Sequence, residues 1–175
     1  PRSAIPVARG HETLVRAIVG QQVSIKAAAA VLAKVEAATG GIHDPANVVR
    51  TSDEDLRAAG LSRQKIAYVK SLADEVLSGR LDFHALPGDD EEAVAAITHI
   101  KGIGRWTAEV YLLFAEGRQD IFPAGDLAVQ VEVGRILGLP ERPTEKQVRL
   151  LAEPWRPHRG AAAIFAWHHR HVVPV

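Results

Sequence analysis

Hydrophobic residues recur along most of the chain at intervals of three and four positions, which is the spacing of one face of an α-helix. No stretch shows a convincing alternation of hydrophobic and polar residues, the pattern of a half-buried β-strand. The pattern therefore predicts an all-α fold.

The first part of the chain carries the signals of two helices. The first ends near Gly20, and its apolar face consists of Leu14, Ile18 and Val19. Ser24 is suited to N-cap the second helix with its hydroxyl, and Gly40 to end it. We predict that the inward-facing residues of this second helix are Ile25, Ala28, Ala29, Leu32 and Val35.

Two more helices are predicted before the middle of the chain. Thr51 or Ser52 opens a short helix that Gly60 closes. Ser62 caps a longer helix that ends at Gly79. The apolar face of the longer helix consists of Ile66, Val69, Ala73, Val76 and Leu77.

Helical spacing continues to the end of the chain. An acidic turn at residues 89–92 suits the N-terminus of the next helix. The later predicted helices are one from Trp106 through Phe114, one over residues 127–137, one that Thr144 caps and that runs to about Trp155, and one over residues 159–171.

Residues 97–108 connect two of these helices through Gly102-Ile103-Gly104. Glycine at 102 and 104 allows a positive φ or a very close approach of a ligand to the backbone. The free N–H groups and the dipole of the following helix favour a bound anion. The stretch is therefore suited to hold a phosphate without reading a base. A tight interhelical turn, with glycines required for steric reasons alone, is the alternative.

Composition excludes several classes of site. The 175 residues include no cysteine, so disulfides, thiolate nucleophiles, thiolate zinc sites and cysteine-bound iron–sulfur clusters are excluded. Lys plus Arg and Asp plus Glu are equal at 21 each, so any contact with nucleic acid must be local. No hydrophobic run approaches the roughly 18 residues of a membrane-spanning helix. The chain begins without a signal peptide at Pro1, which we interpret as a processed or trimmed end.

A single carboxylate follows the phosphate-binding stretch, at Asp126 in the turn Phe-Pro-Ala-Gly-Asp. On local signals alone, Asp126 is the N-cap of the helix that starts at Leu127. A phosphate-binding turn followed by one acid also indicates chemistry on nucleic acid.

Three sequence blocks occur in order: GQQVS at residues 20–24, GIGRWTA at 102–108 and FPAGD at 122–126. A fourth block, at 155–167, begins and ends with tryptophan. With these blocks, over about residues 10–171, the chain resembles the helix-hairpin-helix DNA glycosylase superfamily, specifically its 3-methyladenine DNA glycosylase II branch.

The resemblance implies a two-lobed helical bundle with the active site in the cleft between the lobes. Residues 1–175 then form a single glycosylase domain whose helix-hairpin-helix motif covers about residues 90–115. The residues implied to contact DNA are Gln21, Gln22, Lys101, Gly102, Gly104, Arg105 and Thr107. Gln22 matches the position that fills the gap left by the flipped nucleotide, whereas ordinary capping or a buried polar bond is the alternative for both glutamines.

The family's catalytic aspartate falls on Asp126, where it would stabilise the positive charge that develops on the sugar. Many relatives carry a second acid immediately before it, but this chain has Gly125. Glycosylases that also cut the strand carry a lysine where this chain has Trp106, and Lys101 lies at the wrong offset. The resemblance therefore implies a monofunctional enzyme without lyase activity at abasic sites.

Trp106, Trp167 and Val110 match the base pocket of this branch. Indole faces suit N-alkylated purines, because alkylation makes the base cationic. Val110 stands where a related pocket has tyrosine, and the adjacent Tyr111 should point elsewhere, so the pocket is expected to be roomier or less aromatic. Packing in the core is the alternative role for both tryptophans.

No cofactor is expected for catalysis. By resemblance, a structural Na⁺ or K⁺ is held by the backbone carbonyl groups of Thr98, Ile100 and Ile103. The chain has eight histidines, and three of them, His168, His169 and His171, lie close together near its end. They project to different faces of a helix with no acid nearby in sequence, so we expect a solvated polar end and no zinc site.

Together with these residues, the resemblance implies a monofunctional DNA glycosylase that removes alkylated purines of the 3-methyladenine or 7-methylguanine type in base excision repair. The alternatives are a glycosylase for uracil or hypoxanthine, a non-catalytic DNA-binding module and a plain helical interaction domain. The expected partner is double-stranded DNA with alkylated bases, with no membrane association and a monomeric state. We expect a bacterial, nucleoid-associated protein in the cytoplasm in preference to a eukaryotic nuclear one.

Overall fold

The computed structural model describes residues 8–172 of the chain. This part of the chain forms ten α-helices and one 3₁₀ turn, Glu153–Trp155, and contains no β-strand, so the predicted all-α class is confirmed. The helices are α1 His11–Gly20, α2 Ile25–Thr39, α3 Pro45–Arg50, α4 Asp53–Ala58, α5 Arg63–Leu77, α6 Asp90–Thr98, α7 Arg105–Phe114, α8 Leu127–Ile136, α9 Glu145–Leu151 and α10 Arg159–Val172. None of the described helices is both long and apolar enough to cross a bilayer.

The chain divides into two compact units, Pro1–Gly104 and Arg105–Val175, in agreement with the two predicted lobes. In the first unit, α5 packs against α1, α3 and α4, and α2 packs against the same three helices. The core of this unit includes the buried side chains of Leu14, Ile18, Val35, Val48, Leu56, Ile66, Val69, Leu72 and Ile97.

In the second unit, α8 packs against α9 and α10, and both of these contact the 3₁₀ turn. Its core is a cluster of small and medium side chains, consisting of Phe122, Ala124, Val129, Val133, Val148, Ala152 and Ala163. Trp155 and Trp167 pack against this cluster while remaining half-buried. The chain passes from the first unit to the second at Gly104, within the helix-hairpin-helix motif.

Helix ends agree with the predicted capping residues. Ser24 and Ser62 each accept a hydrogen bond from a backbone N–H in the first turn of their helices. Ser52, not Thr51, caps α4. Thr144 forms a capping box with Gln147 at the start of α9. These ends are determined by residues within one turn, which explains why the sequence predicts them.

Three expectations about the helices are wrong. Ile25 is 91% exposed and Ala29 is also exposed, because the first turns of α2 extend beyond the core that Val35 reaches. Leu77, the last residue of α5, is 52% exposed. The predicted single helix from Thr144 to Trp155 ends at Leu151 and is followed by the 3₁₀ turn. Helix α3, which Asp44 caps, was not predicted.

Candidate active site

Asp126 lies at the N-terminus of α8, held by the turn that precedes it. The Ala124 N–H donates to the Phe122 carbonyl oxygen (2.7 Å), and the Asp126 N–H donates to that of Pro123 (3.0 Å). The Asp126 Oδ1 atom accepts from the backbone N–H of Val129 at 3.0 Å, so the predicted N-cap is confirmed. The carboxylate is therefore fixed by its own helix and lies at the positive end of the helix dipole.

Two indole groups from distant parts of the chain donate to the same carboxylate. Trp106 Nε1, from α7, donates to Asp126 Oδ2 at 2.9 Å. Trp167 Nε1, from α10, donates to Oδ1 at 3.1 Å. Together with the Val129 N–H, these indoles give the carboxylate three donors from the described part of the chain. Oδ1 accepts two of these hydrogen bonds and Oδ2 accepts one, so Oδ2 retains more acceptor capacity. The structure thus brings together three of the predicted site residues.

The two indoles differ in how much of their rings is accessible. Trp106 is 48% exposed, so about half of its surface is open to solvent, while its indole N–H contacts Asp126. Trp167 stacks on Phe114, with ring centroids 5.6 Å apart and 28° between the planes. Trp106 is therefore positioned to offer a ring face to a ligand, and Trp167 is supported by an aromatic neighbour that the sequence had not singled out.

Val110 and Tyr111 follow Trp106 on α7. Val110 is half-buried, one helical turn after Trp106. Tyr111 is buried, and its hydroxyl lies 3.1 Å from Glu116 Oε1, to which it donates a hydrogen bond. Tyr111 therefore points away from the position of Val110, as predicted.

A chain of ion pairs runs from the start of α7 to α9. Arg105 Nε contacts Glu109 Oε1 at 2.8 Å, and Arg149 Nη1 contacts the same oxygen at 3.1 Å. Arg149 Nη2 continues the chain to Glu145 Oε1 at 2.7 Å. Glu109 is only 2% exposed, and burial raises the pKa of its carboxyl against the opposing attraction of Arg149 and Arg105. This network fixes Arg105, a predicted DNA-contacting residue, immediately before Trp106.

Glu145 also lies beside Gly125, the residue immediately before Asp126. A Cβ atom built on Gly125 would be 3.5 Å from Glu145 Oε2. A longer side chain at 125 would therefore meet the Glu145 carboxylate. Sequence reasoning did not identify Glu109, Glu145 or Arg149, although Glu145 and Arg149 have the i,i+4 spacing of a helical ion pair.

The surroundings of the two hairpin glycines differ, so glycine is suited to each position for a different structural reason. Gly102 has φ +87°, and a Cβ there would overlap the ring of Tyr68. Gly104 lacks a positive φ, and its Cβ would meet no described atom within 4 Å. Gly102 is therefore required by the turn itself, whereas Gly104 leaves the backbone open to a close ligand.

Of the two predicted glutamines, Gln21 contacts the hairpin and Gln22 is exposed. Gln21 Nε2 donates to the Gly102 carbonyl oxygen at 2.7 Å. Gln22 has φ +56°, the only positive φ of a non-glycine residue in the described chain. A strained, exposed residue at a loop tip is typical of a functional site.

The remaining predicted residues of the hairpin are backbone or surface groups. Lys101 is exposed and Thr107 is half-buried. The Ile100 carbonyl oxygen accepts a turn hydrogen bond from the Ile103 N–H at 3.1 Å, and Thr98 closes α6. A backbone carbonyl oxygen has two lone pairs and can accept a second contact beside one hydrogen bond, so the carbonyl groups of Thr98, Ile100 and Ile103 are of the ligand type that a monovalent cation takes.

The histidine cluster is not purely a solvated end. His169 is half-buried, and its Nδ1 lies 2.7 Å from Oε2 of the buried Glu132. Glu132 comes from α8, far from His169 in sequence. His168 is exposed, and the side chain of His171 lies outside the described residues. In the described residues, no group of three or more His, Cys, Asp or Glu side chains could hold a metal ion.

Comparison with known proteins places this site in context. A model of the HhH-GPD superfamily of base excision DNA repair proteins matches residues 15–157. DNA-3-methyladenine glycosylase 1 of Schizosaccharomyces pombe is 34% identical over 171 residues, which cover 95% of this chain and 75% of the relative.

Solved structures show the same fold. DNA-3-methyladenine glycosidase from Bacillus halodurans has a TM-score of 0.85 and 36% identity, covering 94% of this chain and 78% of its own. The Schizosaccharomyces pombe 3-methyladenine DNA glycosylase in complex with abasic DNA has a TM-score of 0.81 and 33% identity. The match covers 99% of this chain and 86% of the Schizosaccharomyces pombe chain.

Proposed function

The chain belongs to the HhH-GPD superfamily of base excision DNA repair proteins, and we propose that it is a DNA glycosylase that excises alkylated purines by hydrolysis of the N-glycosidic bond. The observation that carries this proposal is the Asp126 carboxylate, held by two indole N–H groups and one backbone N–H. The 3-methyladenine DNA glycosylases to which the chain is similar support the substrate class.

In the proposed reaction, the bond between C1′ and the base nitrogen breaks, and its electron pair leaves with the base. Water adds to C1′ and releases a proton to the solvent, which leaves an abasic site and a neutral free base. The sugar carries positive charge in the transition state, and a fixed carboxylate stabilises that charge without having to reorganise. Asp126 serves this role, with Oδ2 as the oxygen that has more remaining acceptor capacity.

Base recognition is assigned to the indole faces. N-alkylation of a purine makes the ring cationic, so the exposed face of Trp106 attracts it by cation–π interaction as well as by stacking. The same positive charge makes the base a good leaving group, because the departing electron pair neutralises it. Little general-acid assistance is then needed, in agreement with a site whose proposed catalytic side chain, Asp126, acts as an ionised carboxylate and donates no proton. Val110 completes the proposed pocket.

The reaction is proposed to stop at the abasic site. A lyase step needs an amine that forms a Schiff base with C1′, and the position after Arg105 carries an indole. Lys101, inside the hairpin turn, is assigned to DNA contact.

DNA contact is assigned to the backbone around Gly102 and Gly104 and to Arg105 and Thr107. The open space over Gly104 supports a close approach of the phosphodiester. The carbonyl groups of Thr98, Ile100 and Ile103 would hold a Na⁺ or K⁺ ion that offsets phosphate charge. Replacing these cations by tetramethylammonium at constant ionic strength should then weaken DNA binding, and unchanged affinity would remove the cation from the proposal.

The test is a panel of duplexes, one with methylated purines and others with a single uracil or hypoxanthine. Base release from the methylated duplex, with strand breaks that appear only after alkali, is the expected result. Release from the uracil or hypoxanthine duplex alone would assign the other substrate class. Binding without any release would make the chain a non-catalytic DNA-binding module, and strand breaks before alkali would contradict the monofunctional assignment.

A further inference from the structure

Two segments of the first unit lie in direct contact although about eighty residues separate them. One is the loop at residues 21–24 between α1 and α2, called here the insertion loop. The other is the turn at residues 99–104 that follows α6, called here the hairpin turn. Their direct link is the hydrogen bond from Gln21 Nε2 to the Gly102 carbonyl oxygen, at 2.7 Å.

Helix α5 supports both segments. Tyr68 lays its ring against the α-carbon of Gly102, so closely that a Cβ there would overlap it. Gln64 Nε2 donates to the Tyr68 hydroxyl at 2.7 Å. Lys65 lies one turn before Tyr68 on α5, and its Nζ donates to the carbonyl oxygen of Val19, near the end of α1, at 2.7 Å. The hairpin turn and the approach to the insertion loop therefore rest on one rigid helix.

The insertion loop has a conformation that directs Gln22 outward. Gln21 leaves α1 in an extended conformation, with φ −59° and ψ 131°, and Gln22 turns left-handed at φ +56°. Ser24 then starts α2 by accepting from the Ala27 N–H. Within these few residues, the side chain of Gln21 faces the hairpin turn and Gln22 is exposed.

We propose that Gln21 is a positioning residue that couples the insertion loop to the hairpin turn, so that Gln22 enters the DNA at a fixed distance from the phosphate that the hairpin holds. This inference rests on the proposed function. Because the Gly102 carbonyl oxygen is a backbone atom, its hydrogen bond to Gln21 fixes the loop against the same peptide groups that grip the phosphodiester. Phosphate binding thereby selects which nucleotide faces Gln22.

The proposal makes Gln21 different from a residue that merely stabilises the fold. A structural residue affects binding of every duplex equally through the amount of folded protein. A positioning residue affects only duplexes in which Gln22 has a gap to fill, and only while Gln22 is present. The discriminating quantity is therefore the ratio of the Kd values for an undamaged duplex and for a duplex with a tetrahydrofuran abasic-site analogue.

The experiment measures this ratio by fluorescence anisotropy at fixed salt for wild type, Gln21→Leu, Gln22→Ala and the double variant. Gln21→Leu keeps the side-chain volume and removes the donor, and Gln21→Met is a second variant of the same kind. Gln119→Leu is the matched control, because Gln119 is an exposed glutamine outside these segments. Thermal unfolding of each variant accompanies the titrations.

We expect Gln21→Leu and Gln22→Ala each to reduce the ratio by about 3- to 10-fold, the size of one lost hydrogen bond. The double variant should be no worse than the more affected single variant, and Gln119→Leu should match wild type. Equal loss of affinity for both duplexes with a lowered Tm, or additive effects in the double variant, would overturn the proposal.

The wild-type result separates this inference from the proposed function. If wild type prefers the abasic duplex but releases no base from methylated DNA, the enzymatic proposal is wrong. The variants then still decide whether Gln21 couples the insertion loop to the hairpin turn. A wild type with equal affinity for both duplexes would overturn the coupling, even if it releases bases.

Discussion

Trp106 donates its indole N–H to Oδ2 of Asp126 at 2.9 Å, while about half of the same residue remains open to solvent. One side chain therefore combines two functions. Its N–H holds the carboxylate proposed to stabilise the sugar, and its exposed ring is proposed to contact the base. Any displacement of the ring by a ligand is transmitted to the carboxylate through this bond.

Trp106→Phe separates these two functions. The substitution keeps an aromatic face but removes the donor to Oδ2. Because a hydrogen bond to a charged group contributes about 1.5–3 kcal/mol, we expect base release to fall roughly 10- to 100-fold. Affinity for an abasic duplex should change by only a few fold. Single-turnover release and anisotropy titrations measure the two quantities.

Trp155→Phe is the matched control. Trp155 packs edge-on against Phe122 at a centroid distance of 5.8 Å, against the core cluster of the same unit. We expect it to lower stability without a specific loss of release. Equal losses of release in both variants, after correction for folded protein, would contradict the positioning role of the Trp106 N–H.

The two hairpin glycines should respond differently to alanine. Gly102→Ala forces a Cβ into the Tyr68 ring at a positive φ, so we expect the free energy of unfolding to fall by about 2 kcal/mol or more. Gly104→Ala should change the free energy of unfolding by less than about 1 kcal/mol. It should weaken DNA binding, because the new methyl group occupies open space at the backbone. Denaturant unfolding and DNA titrations distinguish the two cases. Full DNA affinity in Gly104→Ala would show that the phosphate does not approach there.

An acid at position 125 should conflict with Glu145. Gly125→Asp would bring a second carboxylate towards Glu145 Oε2, 3.5 Å from the added Cβ. Since both residues are exposed, we expect the free energy of unfolding to fall by only about 0.5–1 kcal/mol at low salt. Adding Glu145→Gln should restore most of it, and Gly125→Ala should be nearly neutral. A loss that neither Glu145→Gln nor high salt reduces would assign the effect to backbone strain instead.

Stability should decrease in mildly acidic solution because of His11. This side chain is 5% exposed; its Nδ1 lies 3.0 Å from the Ile42 carbonyl oxygen, and Nε2 has no hydrogen-bond partner within residues 8–172. Burial lowers the pKa of His11, against opposing effects of the Ile42 carbonyl, Asp44 and Glu12.

The direction of this pH dependence follows from the number of protons that the folded and unfolded chains bind. The unfolded chain protonates this histidine near pH 6.5, whereas the folded chain does so only at lower pH. The free energy of unfolding should therefore fall as pH decreases below about 6.5. His11→Phe should flatten this slope, whatever its effect on stability at neutral pH. An equally steep slope in the variant would assign the acid sensitivity to other groups.

Features that depend on neighbouring residues in sequence were predictable. The capping roles of Ser24, Ser62, Thr144 and Asp126 were identified because each acts within one turn of its own helix. The resemblance predicted Trp106, Trp167 and Asp126 as site residues, and the structure brings these three side chains into contact.

The contacts that build the site were not predictable, because they join residues far apart in sequence. Nothing local indicates that both indole N–H groups meet one carboxylate, or that Glu145 lies against Gly125. The exposure of Ile25 also depends on tertiary packing. Ile25 continues the apolar face of α2 in sequence, but the part of this helix that packs against the core begins farther along.

The most direct test of the central claim is single-turnover base release by Asp126→Asn on a methylated duplex, alongside its affinity for an abasic duplex. Asparagine still caps α8, so the fold and DNA binding should persist. We expect base release to fall at least about 100-fold, as for removal of one preorganised electrostatic group, with affinity within a few fold of wild type. Release at the wild-type rate would contradict the role assigned to this carboxylate.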